Sequence, residues 1–300
     1  MSKTLLIFLD GVGIGEKDSK KNPFFKDNWK LFSEYFNETP HLDKQYLTKS
    51  GTYLFPADAC MGVKGLPLSG TGQTSIFCGV NAPKIIGKHF GPYPYSTLVP
   101  IIEEKNIFRR FKDLGKNVVF ANAYPKIFFD YINSGKTRLS VTSLSCLKSD
   151  VKLKNATDLR RGNALSAEID NKRWVEKLSY LLPIVKPETA ARRLFRLVEK
   201  HDLTVFEFFL TDHLGHGRIA DWYENIILNL DRFLFYVLNN LDENVSLVIC
   251  SDHGNFENIL EKEHTRNPAL TITSGKHAIE LADRITTLGD ITPAIMEFQS

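Results

Sequence analysis

Leu247-Val248-Ile249-Cys250 is an unbroken apolar run that passes directly into Ser251-Asp252-His253-Gly254-Asn255. Such a run fits a strand buried on both faces, and so a parallel sheet under helices rather than a strand with one wet face. An Asp-His pair at its end then falls on the carboxyl edge of the sheet, where α/β proteins bind their ligands. Further apolar runs at residues 4–9, 117–121, 204–210 and 269–273, with this one at 245–250, are also expected to be strands. Helical spacing marks 101–114, 187–200 (opened by Pro187-Glu188), 220–241 and 291–298. Strands alternating with helices define an α/β fold with a mainly parallel sheet covered by helices on both faces.

The 300 residues suffice for one large α/β core with a smaller insertion. Segment 126–186 is richer in Ser, Thr, Lys and Arg and weakly periodic. It is expected to be a small cap, inserted between core segments 1–125 and 187–300 and lying over the carboxyl edge. A net charge of +3 with no long basic run gives no reason to expect nucleic acid or a membrane surface as partner. Cys60, Cys78, Cys146 and Cys250 are far apart, which suits a reducing compartment. The first apolar run is short and ends at Asp10, so neither a signal peptide nor a bilayer span is expected, and a cytoplasmic protein is.

Three apolar runs end in metal-ligand residue types. LLIFLDGVGIG places Asp10 after the first, VFEFFLTDHLGHG places Asp212 and His216 after another, and SLVICSDHGNFE supplies Asp252 and His253. His264 follows in EKEHTRNPAL. Carboxylate oxygen and imidazole nitrogen are the donors that Zn²⁺ and Mn²⁺ take, and Asp-x-x-x-His lets one helical turn bring both to one ion. His213 neighbours Asp212 and points about 100° away on a helix, so it is expected to lie outside that site. His41, His201 and His277 lack such a context, whereas His89, in GKHFGPYP, is a candidate substrate contact.

GLPLSGTGQTSIFCGVNA adds a glycine-punctuated stretch with a helix expected to start near Gly72 or Gln73. A hydroxyl at a helix N-terminus can act as nucleophile, since backbone N–H groups there stabilise phosphate oxygens. Ser69, Thr71, Thr74 and Ser75 are the candidates.

Taken in order, LDGVGIG, ETPHLD, GLPLSGTGQTS, TDHLGHG, SDHGNFE, HTRNPAL and LGDITPAIMEF resemble the alkaline phosphatase superfamily of two-metal phosphoryl-transfer enzymes. They look most like the branch of cofactor-independent phosphoglycerate mutase and phosphopentomutase, over roughly 1–82 and 203–300. The resemblance implies two divalent ions, Zn or Mn. It gives Asp212, His216 and His264 to one, and Asp10, Asp252, His253 and the nucleophile to the other. In the mutases the nucleophile follows Gly-Asn, and Gly72-Gln73-Thr74 points by that spacing to Thr74. Segment 126–186 is too short for the mutases' transferase domain, and the sulfatase C-x-P-x-R motif is absent.

The expected activity is therefore hydrolysis of a small phosphorylated substrate through a phosphothreonine. Cap residues Lys136, Arg138, Arg160 and Arg161 are candidates to steer an anion, Arg138 also to contact substrate. A phosphomutase and a non-catalytic metal-binding module are the alternatives.

Overall fold

The computed structural model describes residues 3–299. Its seven strands are β1 (Lys3–Leu9), β2 (Leu47–Lys49), β3 (Thr52–Ala57), β4 (Val118–Phe120), β5 (Leu203–Phe208), β6 (Val245–Ser251) and β7 (Ala269–Gly275). They form one sheet in the order β2-β3-β7-β6-β1-β5-β4. The four strands β4, β5, β1 and β6 run parallel, and β7, β3 and β2 alternate in direction beyond them.

The apolar runs are continuous because both faces of these strands are buried. Leu5, Ile7 and Leu9 of β1 enter one core with Leu247 and Ile249 of β6. Leu6 and Phe8 enter the other with Val248 and Cys250, as the two-residue strand period requires. Helices Pro187–Val198 and Tyr223–Asn240 cover the first core, while Ser69–Cys78 and Ile291–Glu297 cover the second.

Three details depart from expectation. The helical pattern 101–114 is two helices, Val99–Lys105 and Ile107–Asp113, broken at Asn106. Asn106 is buried and extended, accepting from Arg109 N at 3.1 Å and donating to Ser149 Oγ at 2.8 Å, so it caps the second helix. The hairpin β2–β3 was not anticipated; it turns through Ser50 and Gly51, both at positive φ. Helix Ser69–Cys78 starts three residues before Gly72, with consequences for the nucleophile.

Segment 126–186 forms the short helices Lys126–Asn133, Val141–Lys148, Ala156–Arg160 and Lys172–Glu176. Val141, Cys146, Val151 and Leu153 pack into the second core, and Leu165 and Ile169 into the first. Helix Lys126–Asn133 alone among these four buries no residue, and it stands over the carboxyl edge of the sheet.

Candidate metal centre and active site

β6, β1 and β5 are neighbours, with Leu9 in register with both Ser251 and Phe208. The next residues of β1 and β6, Asp10 and Asp252, therefore emerge side by side. After β5 the chain enters helix Leu210–Gly215, which carries Asp212 in its first turn and is followed by His216. The turn after β1 is fixed by Gly11 N donating to Asp252 Oδ1 (3.2 Å) and Val12 N to Ser251 Oγ (2.8 Å). Glu257 fastens the loop after β6: it accepts from Gly13 N (2.9 Å), Asn255 N (2.8 Å), Asn267 Nδ2 (3.0 Å) and the Thr265 hydroxyl. This clamp ties SDHGNFE to HTRNPAL and so places His264.

Two donor clusters result. In the first, His253 Nε2 lies 3.4 Å from Asp10 Oδ1 and 3.4 Å from Asp252 Oδ2. In the second, Asp212 Oδ1 lies 3.2 Å from His216 Nε2 and 3.4 Å from His264 Nε2, and these two nitrogens are 3.2 Å apart. The clusters adjoin, because the His253 and His264 rings stack at 3.7 Å.

The histidine tautomers decide what the second cluster is suited to hold. His216 Nδ1 is 2.6 Å from Lys262 O, and His264 Nδ1 is 2.7 Å from Pro67 O. A carbonyl only accepts, so each Nδ1 carries a proton and Nε2 is the nitrogen each ring turns toward Asp212. Two imidazole nitrogens and a carboxylate oxygen converging on one point form a donor set that a divalent cation would complete. Asp10 Oδ1 tells the same story in the first cluster: it is buried without a hydrogen-bond partner. Burial, and then the charge of Asp252, pushes the Asp10 carboxyl well above its ordinary range. These donors fit divalent ions of the Zn²⁺ or Mn²⁺ kind.

Helix Ser69–Cys78 points its N-terminus at the first cluster. Ser69 Oγ is 3.0 Å from His253 Nε2. Gln73, one turn on and on the same face, brings Nε2 to 3.4 Å from Asp10 Oδ2 and 3.5 Å from Asp252 Oδ2. Thr74 is a correction to the sequence reading. It lies mid-helix, fully buried, and its Oγ1 donates to Gly70 O at 2.6 Å instead of facing the clusters. Ser75 likewise bonds back to Thr71 O at 2.9 Å. Ser69 is thus the hydroxyl brought to the donors.

A cavity of about 580 Å³ opens above this edge, lined by Asp10, Ser69, Gln73, Asp212 and, on its roof, helix Lys126–Asn133. Arg138 lines it, as does Arg218, which the sequence reading passed over. His213 is a wall residue, packed against the Phe209 ring, and burial lowers its pKa. Glu207 was also missed, although a lone acid within VFEFFL was its signal. It lines the cavity, accepts from Thr142 Oγ1 at 2.9 Å, and burial raises it to about 7. His89 lies elsewhere, 3.3 Å from Val63 O in a groove with Lys64, Lys88 and Lys262 that reaches His216 and His264 from outside. Lys136, Arg160 and Arg161 do not line the main cavity.

A mainly parallel sheet whose adjacent strand ends present clustered Asp and His side chains is an alkaline-phosphatase-like fold with candidate metal ligands at its edge. The family model of the Metalloenzyme superfamily matches residues 2–300, and the chain belongs to that superfamily, whose membership implies divalent metal ions. No curated protein matches the sequence. Among solved structures, the PH0037 protein from Pyrococcus horikoshii is similar with a TM-score of 0.57 at 14% identity, over 99% of this chain and 96% of that one. Alkaline phosphatase from the Antarctic bacterium TAB5 gives 0.50 at 12% identity, over 99% and 98%. Phosphoglycerate mutase from Leishmania mexicana gives 0.37 at 14% identity, over 65% of this chain and 37% of that one. Among the described residues no helix is long and apolar enough to cross a membrane.

Proposed function

We propose that this protein is a metal-dependent phosphoesterase that hydrolyses a small phosphate ester through a phosphoserine at Ser69. The observation that carries the reading is Ser69 Oγ, at the first position of its helix and 3.0 Å from His253 Nε2, beside the Asp10–Asp252–His253 cluster. Asp212, His216 and His264 would hold one divalent ion, Zn or Mn, and Asp10, Asp252, His253 and Ser69 the other. Ions bound there supply charge neutralisation of the phosphate and a lowered pKa for the serine hydroxyl.

The chain's own groups do the rest. The N–H groups of the helix N-terminus and the guanidiniums of Arg138 and Arg218 attract the phosphate oxygens. Ser69 Oγ bonds to phosphorus as the ester P–O bond breaks and the alcohol departs. Water then cleaves the phosphoserine, so the net change is ester plus water to alcohol plus phosphate.

The test uses Zn- or Mn-loaded protein and a panel of phosphomonoesters and diesters. Ser69→Ala should lower phosphate release by several orders of magnitude, whereas Thr74→Ala should retain most of it. Acid-quenched protein should carry phosphate on Ser69. Isomerisation of a sugar phosphate without phosphate release would make the protein a phosphomutase instead, and a fully active Ser69→Ala would remove the covalent step.

A further inference from the structure

The main cavity has two chemically different linings. Its floor is the polar edge of Asp10, Ser69, Gln73 and Asp212. Five rings also line the cavity: Tyr124, Phe128 and Tyr131 on or beside the roof helix, with Phe209 and Tyr93. The roof helix buries none of its residues, although it carries Ile127, Phe128 and Tyr131. Phe128 packs partly against the second core, while Ile127 stays 71% exposed on the cavity, and apolar surface left facing a cavity marks a place where a ligand completes the packing.

These rings are also preorganised. Tyr124 and Phe128 stack with ring centroids 4.0 Å apart and planes 18° from parallel. The Tyr124 hydroxyl is tied to Ser143 Oγ at 2.8 Å, which fixes the ring's direction. Stacked, immobilised rings present a flat apolar platform to a flat partner at little entropic cost. A small polyol or sugar phosphate would meet the metal edge but leave this platform wet. Arg138 and Arg218 on the same cavity complement an anion, and a guanidinium plane also stacks on a ring.

We propose, resting on the phosphoesterase reading, that the substrate is the phosphate ester of an alcohol bearing a planar aromatic ring. Its ring lies against Phe128 and Tyr131 while its phosphate lies over Ser69. Arylalkyl phosphates and nucleoside phosphates share this chemistry, and substrate pairs matched in leaving-group reactivity tell them apart.

The experiment compares Mn-loaded protein on phenethyl phosphate against ethyl phosphate, and on adenosine monophosphate against ribose phosphate. The ring-bearing member should have the higher kcat/KM by at least about tenfold in one pair, which identifies the source of the ring. Calorimetric titration with phenylpropylphosphonate and propylphosphonate reads the same preference without turnover, and the ring should bind at least about tenfold tighter. Phe128→Ala, and independently Tyr131→Ala, should shrink that ratio about fivefold. Both side chains are half-buried, so a thermal melt should confirm that each variant folds. Equal affinity for the two phosphonates, or a ratio that neither variant moves, would overturn the ring subsite. So would a saturated cyclohexyl analogue binding as tightly as the phenyl one. A ring-selective phosphonate with no ester hydrolysed would sustain the subsite and overturn the hydrolase, and hydrolysis of every ester without ring preference would do the reverse.

Discussion

Gly72→Ala tests the geometry of the site through a single methyl group. A Cβ at Gly72 would lie 2.8 Å from Asp252 O and 2.9 Å from Asp252 Cβ. Ordinary contact begins near 3.4 Å, so the helix and the end of β6 must part by about 0.6 Å. Neither neighbour can swing aside, since one is backbone and the other is the root of a ligand side chain. Alanine favours the helix by about 1 kcal/mol over glycine, while overpacking costs about 1–3 kcal/mol. Stability should therefore change by no more than about 2 kcal/mol. Function should change as well, because the same displacement draws Ser69 and Gln73 away from Asp10 and Asp252. A misplacement of about 1 Å can cost about a hundredfold in rate, so this smaller one should cost on the order of tenfold. The assay pairs a thermal melt with metal-dependent phosphate release and ion titration. Unchanged activity together with unchanged ion affinity would show that Gly72 does not set the distance between helix and strand, and would refute the reasoning.

Two further outcomes are expected. Elemental analysis of protein loaded with Zn²⁺ or Mn²⁺ should approach two ions per chain, and His264→Ala should weaken one site while leaving the Asp10–Asp252–His253 site occupied; a protein free of ion at saturation would sink the assignment. Glu168, buried and accepting from Trp174 N at 3.1 Å, is raised by burial to about 7 from 4.5. The folded state thus holds a proton that the unfolded state has lost, so this group's contribution falls as pH rises from about 4.5 to about 7. Glu168→Gln should stabilise the protein by about 3 kcal/mol above that window and by little below it, read from denaturant melts across pH; a pH-independent difference would refute this.

Much of the central fold was legible because burial on both faces writes itself into strands as unbroken apolar runs. The edges of β1 and β6 could be read to within a residue, and with them the positions of Asp10, Asp252 and His253 on the sheet's rim. The β2–β3 hairpin was not, since Pro56 and the polar residues around it break the apolar pattern. The start of the helix at Ser69 was hidden by its glycines. Gly70 and Gly72 suggest a loop, yet they are helical positions where Tyr93 O and Asp252 O approach too closely for a Cβ unless the backbone shifts. The mutase-like spacing of Gly72-Gln73-Thr74 pointed to Thr74, whereas the helix brings Ser69, the nucleophile proposed above, to the donors. The four-residue spacing from Ser69 to Gln73 was the available clue, since it sets both side chains on one helical face.

The placement of β1 in the interior of the sheet, between β6 and β5, bears on how the protein is made. β1 leaves the ribosome well before its neighbours β5 and β6, the latter about 240 residues downstream by the register of Leu5 with Leu247. Loop closure over such a separation is slow compared with local helix formation. Asp10 therefore waits for Asp252 and His253, and no nascent chain that stops short of β6 can assemble the first donor cluster. Chains arrested after residue 240 should take up metal weakly, while emergence of β6 and β7 should bring sheet closure and ion capture together, so that metal supply acts on a late step of folding rather than an early one.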